Sequence, residues 1–332
     1  MTDIASALEA LLHGDVLTQR RAMAKAITLI ESTRLDHRKQ ADELLTSLLP
    51  YSGQSIRIGL SGVPGVGKST LIENLGLRLI NQGHKVAVLA VDPSSSVSGG
   101  SILGDKTRME QLSNHPHAFI RPSPSSGNLG GVAEKTRECI LVCEAAGYDV
   151  VIVETVGVGQ SETAVSGMTD MFILMQLPNA GDDLQAIKKG VMELADLVVI
   201  NKNDLDENAA TQAESFISSA LHLFSNNQKI MEGPVIWNPK VMRLSALTGA
   251  GLDNFWCEVT DFTHLQKANG QWKVRRQSQS LTWMQELIQS GLRLAFQRNQ
   301  SVASLLPQLE KDVLEGRIAA STAARQLLAK WS

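Results

Sequence analysis

Residues 56–75 read IRIGLSGVPGVGKSTLIENL, and they are the most informative part of the sequence about its fold. An apolar run, a glycine-rich turn and a segment of helical apolar spacing follow one another. This order is typical of a phosphate-binding loop, where backbone N–H groups and a helix start converge on an anion. Lys68 can reach the outer phosphates, and Ser69 can offer a hydroxyl to magnesium. The predicted nucleotide contacts are Gly62, Val63, Pro64, Gly65, Val66, Gly67, Lys68, Ser69 and Thr70.

The composition is that of a globular chain without a basic surface. Hydrophobic residues make up 43% and charged residues 20% of the 332 positions, and the formal net charge is −3. We therefore expect no nucleic-acid partner. The amino terminus lacks the pattern of a signal peptide, and no apolar run has the length needed to span a bilayer. We expect a cytoplasmic protein without a membrane segment.

The three cysteines, Cys139, Cys143 and Cys257, are odd in number and sparse. This usage argues against a disulfide framework and indicates a reducing compartment. Cys139 and Cys143 are one helical turn apart and could share a metal. No histidine or further cysteine lies nearby in the sequence to complete such a site, so the pattern favours buried thiols.

A second apolar run, residues 85–91, is typical of a strand buried on both faces of a parallel sheet, and Asp92 follows it. We expect this strand to lie beside the first one, so that Asp92 points into the nucleotide crevice and joins the magnesium shell. The alternative is that Asp92 and Pro93 only begin a turn. Residues 93–108 form a long polar loop that fits a switch segment.

A third buried strand, residues 149–154, leads into Glu154-Thr155-Val156-Gly157. This pattern is typical of a loop that senses the γ-phosphate. Glu154 can hold magnesium through water or orient the attacking water, and Gly157 can donate its N–H to the γ-phosphate. Val158 stands where a water-positioning glutamine is usual, so we expect slow intrinsic hydrolysis.

The tetrapeptide Asn201-Lys202-Asn203-Asp204 follows the apolar run 196–200 and is typical of a guanine-reading element. Asp204 can accept two hydrogen bonds that adenine cannot donate, Lys202 can pack on the base, and Asn201 can brace neighbouring loops. The pattern predicts GTP rather than ATP as the nucleotide. We expect backbone N–H groups after a later strand to complete base recognition, at Ser245, Ala246 and Leu247.

Helical apolar spacing dominates both ends of the chain. Residues 3–49 predict two or three helices, and residues 279–298, 302–315 and 317–330 predict three more, with Pro307 and Gly316 as breaks or helix starts. The predicted fold is α/β: a P-loop NTPase with a mostly parallel central sheet flanked by helices. The predicted divisions are an N-terminal helical extension at 1–50, the nucleotide domain at 51–262, and a C-terminal helical extension for dimerisation or partner docking at 263–332.

Five stretches together resemble the MeaB/ArgK family of P-loop GTPases: residues 62–70, VDPSSSVSGGSILGDKTRM at 91–109, ETVGVGQSE at 154–162, GDDLQAIKKG at 181–190 and NKND at 201–204. The resemblance covers nearly the whole chain. It implies a homodimeric GTPase that acts as a chaperone of an adenosylcobalamin-dependent acyl-CoA mutase, with methylmalonyl-CoA mutase as the expected partner. Such a chaperone gates cofactor loading and protects or reactivates the mutase.

The resemblance also implies residue roles. Magnesium is the expected cofactor, with Ser69, Asp92, Asp105 and Glu154 around it, and Lys188 lies in an additional switch that couples nucleotide state to the mutase. The candidate catalytic residues are Lys68, Asp92, Asp105, Glu154 and Lys188. The chain has no Asp-x-His-x-x-Gly motif, so we expect that it does not bind cobalamin directly.

Two alternative functions and one structural choice stay open at this point. A nickel-insertion metallochaperone would need a His- or Cys-rich metal site, and the histidines and cysteines here are scattered. A kinase linked to arginine and ornithine uptake would transfer the γ-phosphate to a protein or solute rather than to water. Residues 178–190 form either a loop that rearranges on nucleotide exchange or an ordinary strand-to-helix connection.

Overall fold

The computed structural model describes residues 4–32, 34–91, 109–122, 129–155, 161–178, 189–225 and 237–331. The chain divides into two compact units, Met1–Arg276 and Gln277–Ser332. The first unit contains the central sheet and the candidate site. Among the described residues, no helix combines the length and apolar character needed to cross a membrane.

A seven-stranded sheet runs through the described part of the first unit, in the order β3-β2-β4-β1-β5-β6-β7. Every neighbouring pair is parallel, which confirms the predicted sheet type. The strands are β1 (Ile56–Gly62), β2 (Val86–Val91), β3 (Ala118–Arg121), β4 (Val150–Thr155), β5 (Met171–Gln176), β6 (Leu197–Ile200) and β7 (Lys240–Arg243).

Helices cover both faces of this sheet. In β2, Ala87 and Leu89 belong to one hydrophobic core, whereas Val86 and Val88 belong to the other. This alternation explains why β2 and β6 are apolar at every position. The helices of the first face are α1 (Ile4–His13), α2 (Val16–Glu31), α3 (Leu35–Leu48), α6 (Leu129–Ala145) and α9 (Glu207–Ser225). Those of the second face are α4 (Lys68–Asn81), α5 (Glu110–Asn114) and α10 (Leu252–Ala268).

The remaining elements are short connections and the C-terminal helices. They are α7 (Ser161–Ser166), α8 (Lys189–Met192), α11 (Gln271–Arg298), α12 (Gln300–Leu314) and α13 (Ala320–Trp331). In the second unit, Val302 and Leu309 pack with Ala323 and Leu327 to form a small core. Pro307 lies inside α12, so the expectation that it marks a break or a helix start is wrong. Gly316, with φ of +70°, follows the end of that helix.

The sheet order corrects one expectation from the sequence. The strand before Asp92 does not lie beside β1, because β4 lies between β1 and β2. An apolar run reveals that a strand is buried on both faces, but it does not reveal which strands are its neighbours. A parallel connection through a helix can leave room for a later strand to enter between two earlier ones.

A buried ionic network holds the amino-terminal edge of the sheet. Arg57 donates two hydrogen bonds of 2.8 Å to Glu144 of α6, and Gly53 N–H donates to the same carboxylate at 2.7 Å. Arg276, near the start of α11, donates to both oxygens of Asp170 at 2.7 Å and to the carbonyl of Gly53. These bonds fix the starts of β1 and β5 to α6 and to Arg276, the last residue of the first unit.

Candidate nucleotide-binding site

The candidate site lies at the carboxyl edge of the sheet, around the end of β1. The loop between Gly62 and Lys68 connects β1 to α4, as the phosphate-loop pattern requires. Glu154 of β4 pairs in register with Leu60 of β1 on one side and with Ala90 of β2 on the other. Its carboxylate therefore lies on the strand between the phosphate loop and the end of β2, and the residue is only 3% exposed.

Glycine conformations shape the phosphate loop. Gly65 and Gly67 have φ of +77° and +102°, in the left-handed region where other residues are strained. Lys68 begins α4, and its ammonium donates hydrogen bonds to the carbonyl of Gly62 at 2.6 Å and to that of Val63 at 3.3 Å. The ammonium is thus held at the mouth of the loop, where phosphate oxygens can replace the two carbonyls as its acceptors.

Asn201 joins the phosphate loop to the loop that follows β7. Its side-chain Nδ2 donates to the carbonyl of Val66 at 2.7 Å, and its Oδ1 accepts from the N–H of Ala246 at 2.8 Å. The residue is buried, and a Cβ on Gly67 would collide with Nδ2. The phosphate loop and the predicted base-reading loop are therefore packed as one piece.

The predicted base-reading side chains lie at this same edge. Lys202 has φ of +63°, a left-handed conformation that turns the chain immediately after β6, and Asp204 is exposed. Asn203 N–H donates to the carbonyl of Leu244 at 3.3 Å and ties this turn to the end of β7. Next to it, Ser245 and Ala246 are buried and Leu247 is exposed.

Helix α4 makes two contacts that the sequence did not predict. The Glu73 carboxylate accepts N–H bonds from Gln111 and Leu112 at the start of α5, the shortest at 2.9 Å. Asn74 Nδ2 donates to the carbonyl of Ala246 at 2.6 Å. Both partners are remote in sequence, so no spacing rule connects them to α4. Glu73 and Asn74 lie outside the buried face of the helix, where polar residues are ordinary, so the sequence gives no local signal for these contacts.

The oxygen donors in the described part of the site fit magnesium. The Ser69 hydroxyl lies in the first turn of α4 and the Glu154 carboxylate lies at the end of β4. Hydroxyl and carboxylate oxygens are the ligands that Mg²⁺ prefers, usually together with phosphate oxygens and water. Four predicted site residues lie outside the described part of the chain: Asp92, Asp105, Gly157 and Lys188. Most of the two predicted switch loops, 93–108 and 178–190, also lies outside it.

The cysteine pair lies away from this edge. Cys139 and Cys143 are buried in α6, and burial raises the pKa of both thiols well above their ordinary range. Within the described ranges, no group of three or more His, Cys, Asp or Glu side chains is arranged to hold a metal ion.

In this site, a loop with two glycines in the left-handed conformation connects a strand to a helix that begins at Lys68. Asn201 of the Asn-Lys-x-Asp turn is hydrogen-bonded to this loop. This combination defines the class of protein as a P-loop GTPase. The model of one sequence family, described as methylmalonyl Co-A mutase-associated GTPase MeaB, matches residues 23–301. The chain therefore belongs to this family of GTPases.

Named relatives agree with this assignment. The chain is 52% identical to a putative GTPase of Caulobacter vibrioides over 98% of each chain. It is 45% identical to the mitochondrial methylmalonic aciduria type A homolog of Mus musculus, over 97% of this chain and 79% of that protein. The crystal structure of an LAO/AO transport system kinase superposes with a TM-score of 0.75 at 38% identity, covering 98% of this chain and 96% of the other.

Proposed function

We propose that this chain is a GTP-hydrolysing chaperone of an adenosylcobalamin-dependent acyl-CoA mutase, with methylmalonyl-CoA mutase as its partner. It gates loading of the cofactor and protects or reactivates the mutase. The family match over residues 23–301 carries the proposal. The identity to the mouse methylmalonic aciduria type A homolog supports it, because that similarity covers 97% of this chain.

The proposed hydrolysis is an in-line attack of water on the γ-phosphate. Lys68 exchanges its carbonyl acceptors for phosphate oxygens, and loop N–H groups stabilise the charge that develops. Asp204 selects guanine. When bound, magnesium neutralises charge on the β- and γ-phosphates, and the residues proposed to hold it are Ser69, Asp92, Asp105 and Glu154.

In this proposal, the affinity of the chain for the mutase depends on which nucleotide is bound. In the proposed mechanism, the γ-phosphate orders loops near the site and the ordered loops set the affinity for the partner. Lys188 belongs to the segment proposed to make this connection. Cobalamin itself is bound by the mutase and not by this chain.

The test uses purified methylmalonyl-CoA mutase from the same organism. The full chain is loaded with GDP, with a non-hydrolysable GTP analogue or with no nucleotide, and complex formation is measured by gel filtration. We expect retention that depends on the nucleotide and an increased rate of phosphate release in the complex. Lys68→Ala should lose hydrolysis because the phosphate contact is lost. Equal or absent retention in all three states would contradict the chaperone role.

A second candidate is a transport-linked kinase, and the solved structure of the 38% identical LAO/AO transport system kinase supports it. A kinase would transfer the γ-phosphate to a solute or protein. Radiolabelled γ-phosphate distinguishes the two candidates. Label recovered only as inorganic phosphate supports the GTPase chaperone, and label on any other product supports the kinase.

A further inference from the structure

Asn74 of α4 holds one peptide unit of the predicted base-reading loop. Its Nδ2 donates to the carbonyl of Ala246 at 2.6 Å, across 172 positions of sequence. Ala246 is 1% exposed, whereas the next residue, Leu247, is 74% exposed. The bond therefore reaches the loop where it passes from the protein interior to the mouth of the site.

The three predicted N–H donors of this loop are not equivalent. Ser245 N–H donates to the carbonyl of Ala250 at 2.9 Å, and Ala246 N–H donates to Asn201 Oδ1 at 2.8 Å. Within the described ranges, Leu247 N–H donates no hydrogen bond. Of the three, this N–H is available to a bound base.

The carbonyl of Ala246 and the N–H of Leu247 belong to the same peptide unit. A trans peptide is planar, and its C=O and N–H point in opposite directions. When Asn74 fixes the carbonyl towards α4, it also fixes the Leu247 N–H away from α4. A single side chain thus sets the direction of the one available donor.

We propose that Asn74 is a specificity-determining residue that aims the Leu247 N–H at O6 of guanine. The inference rests on the proposed guanine site. Guanine has an acceptor at O6, whereas adenine has an amino donor at the same position. A fixed N–H favours the first and opposes the second, because two donors that face each other are left unpaired. Asn74 touches no nucleotide atom itself and acts through the loop.

A purely structural role for Asn74 predicts a different effect of Asn74 substitutions on nucleotide affinity. If the bond only stabilised the packing of α4, its loss would weaken binding of every nucleotide to the same extent. A role in aiming the Leu247 N–H affects only ligands that accept a hydrogen bond at position 6. The effect of Asn74 substitutions should therefore depend on the atom at position 6 of the base.

The test compares Asn74→Ala and the isosteric Asn74→Asp with the parent protein. The control is Asn81→Ala, because Asn81 is exposed at the other end of the same helix. Equilibrium affinities are measured for GDP, for 6-thio-GDP and for IDP by displacement of a fluorescent nucleotide, and thermal melts establish that each variant is folded. The sulfur of 6-thio-GDP is a weak acceptor, and IDP keeps O6 but lacks the 2-amino group.

We expect both Asn74 variants to bind GDP and IDP roughly fivefold more weakly, as for loss of one hydrogen bond, with 6-thio-GDP little changed. The preference for GDP over 6-thio-GDP then falls, and the preference for GDP over IDP stays as in the parent. Equal weakening of all three ligands, or no weakening, would overturn the proposal. If the parent protein does not prefer GDP to IDP, the proposed guanine site is wrong, and the Asn74 proposal that rests on it is overturned as well. This outcome distinguishes failure of the guanine site from failure of the role of Asn74 alone.

Discussion

Gly67 lies where the phosphate loop and Asn201 leave no space for a side chain. Its φ is +102°, and an added Cβ would collide with Asn201 Nδ2. The substitution Gly67→Ala therefore combines backbone strain with the loss of the bond from Asn201 to the carbonyl of Val66. We expect nucleotide affinity to fall by at least about tenfold, since loss of a buried polar contact costs on the order of 1–3 kcal/mol. Fluorescent GDP titration measures the change.

Gly83 supplies the matched control for backbone strain. It has a similar φ of +96°, lies in the turn after α4, and an added Cβ there meets nothing within 4 Å. Gly83→Ala should lower the free energy of unfolding by about 1–2 kcal/mol through left-handed strain alone and leave nucleotide affinity unchanged. If both variants bound GDP equally well, the collision with Asn201 would have no functional importance.

At the scale of elements, α4 connects the parts of the site. Ser69 lies in its first turn, Glu73 caps α5, and Asn74 holds the loop after β7. Met109, which precedes α5, forms no side-chain cap, so the carboxylate of Glu73 satisfies the helix start from another element. Close packing reinforces the contact, because a Cβ on Gly76 would lie 2.7 Å from Leu112 Cδ2.

Glu73→Gln should raise the magnesium concentration needed for half-maximal hydrolysis. Asp105, a proposed magnesium ligand, is four residues before Met109 in the sequence, so the start of α5 anchors the segment that carries it. A carboxylate-assisted bond is worth about 1.5–3 kcal/mol, so its weakening should shift the magnesium requirement by roughly tenfold. Steady-state phosphate release against magnesium concentration measures this. GDP affinity in the presence of a magnesium chelator should stay constant.

Glu110→Gln is the control, because Glu110 carries the same charge in the first turn of the same α5 but is exposed. The control should leave the magnesium requirement unchanged. An equal shift in the two variants would show that the charge near the helix start matters, rather than the bond from α4.

The strands and helices also show which parts of the fold and of the site could be predicted from the sequence. The continuous apolar runs around β2, β4 and β6 correctly predicted strands of a parallel sheet, because burial on both faces removes polar positions. The same runs could not place β4 between β1 and β2. The phosphate-loop pattern and the Asn-Lys-x-Asp pattern each lie within a few consecutive residues, so both could be recognised in the sequence. The bonds of Glu73 and Asn74 join residues far apart in sequence, and only the folded chain brings them together.

At the scale of the whole molecule, the network around Glu144 should make stability depend on pH. Burial by itself raises the pKa of Glu144, but the hydrogen bonds from Arg57 and Ser55 and the charges of Arg57 and Arg276 together outweigh it, so the pKa lies below its ordinary value of 4.5. A carboxylate with a lowered pKa contributes stability above its unfolded pKa and loses this contribution as the pH falls through the folded pKa.

Glu144→Gln should therefore lower the free energy of unfolding by about 3–5 kcal/mol at pH 7, because it leaves Arg57 without its buried partner. The difference from the parent should be constant above pH 4.5 and shrink below it. Urea unfolding followed by tryptophan fluorescence at pH 7, 5 and 3.5 measures this. Asp36→Asn, in the exposed pair with Arg34, should leave the urea midpoint at pH 7 unchanged. A difference that grows as the pH falls would contradict the assignment.

The homodimer that the sequence resemblance implies has a candidate surface in the second unit. Leu281, Met284, Ile288 and Leu292 are each at least half exposed and recur at intervals of three and four along α11, which places them on one face. A second copy can bury this stripe, so we expect the parent to have twice the 35.9 kDa chain mass in light scattering.

Ile288→Glu should give a monomer at micromolar concentration, because it puts a charge in the buried seam. Leu314→Glu, at an exposed apolar position of another helix, should stay dimeric. A monomeric parent, or a dimeric Ile288→Glu variant, would exclude this stripe as the interface.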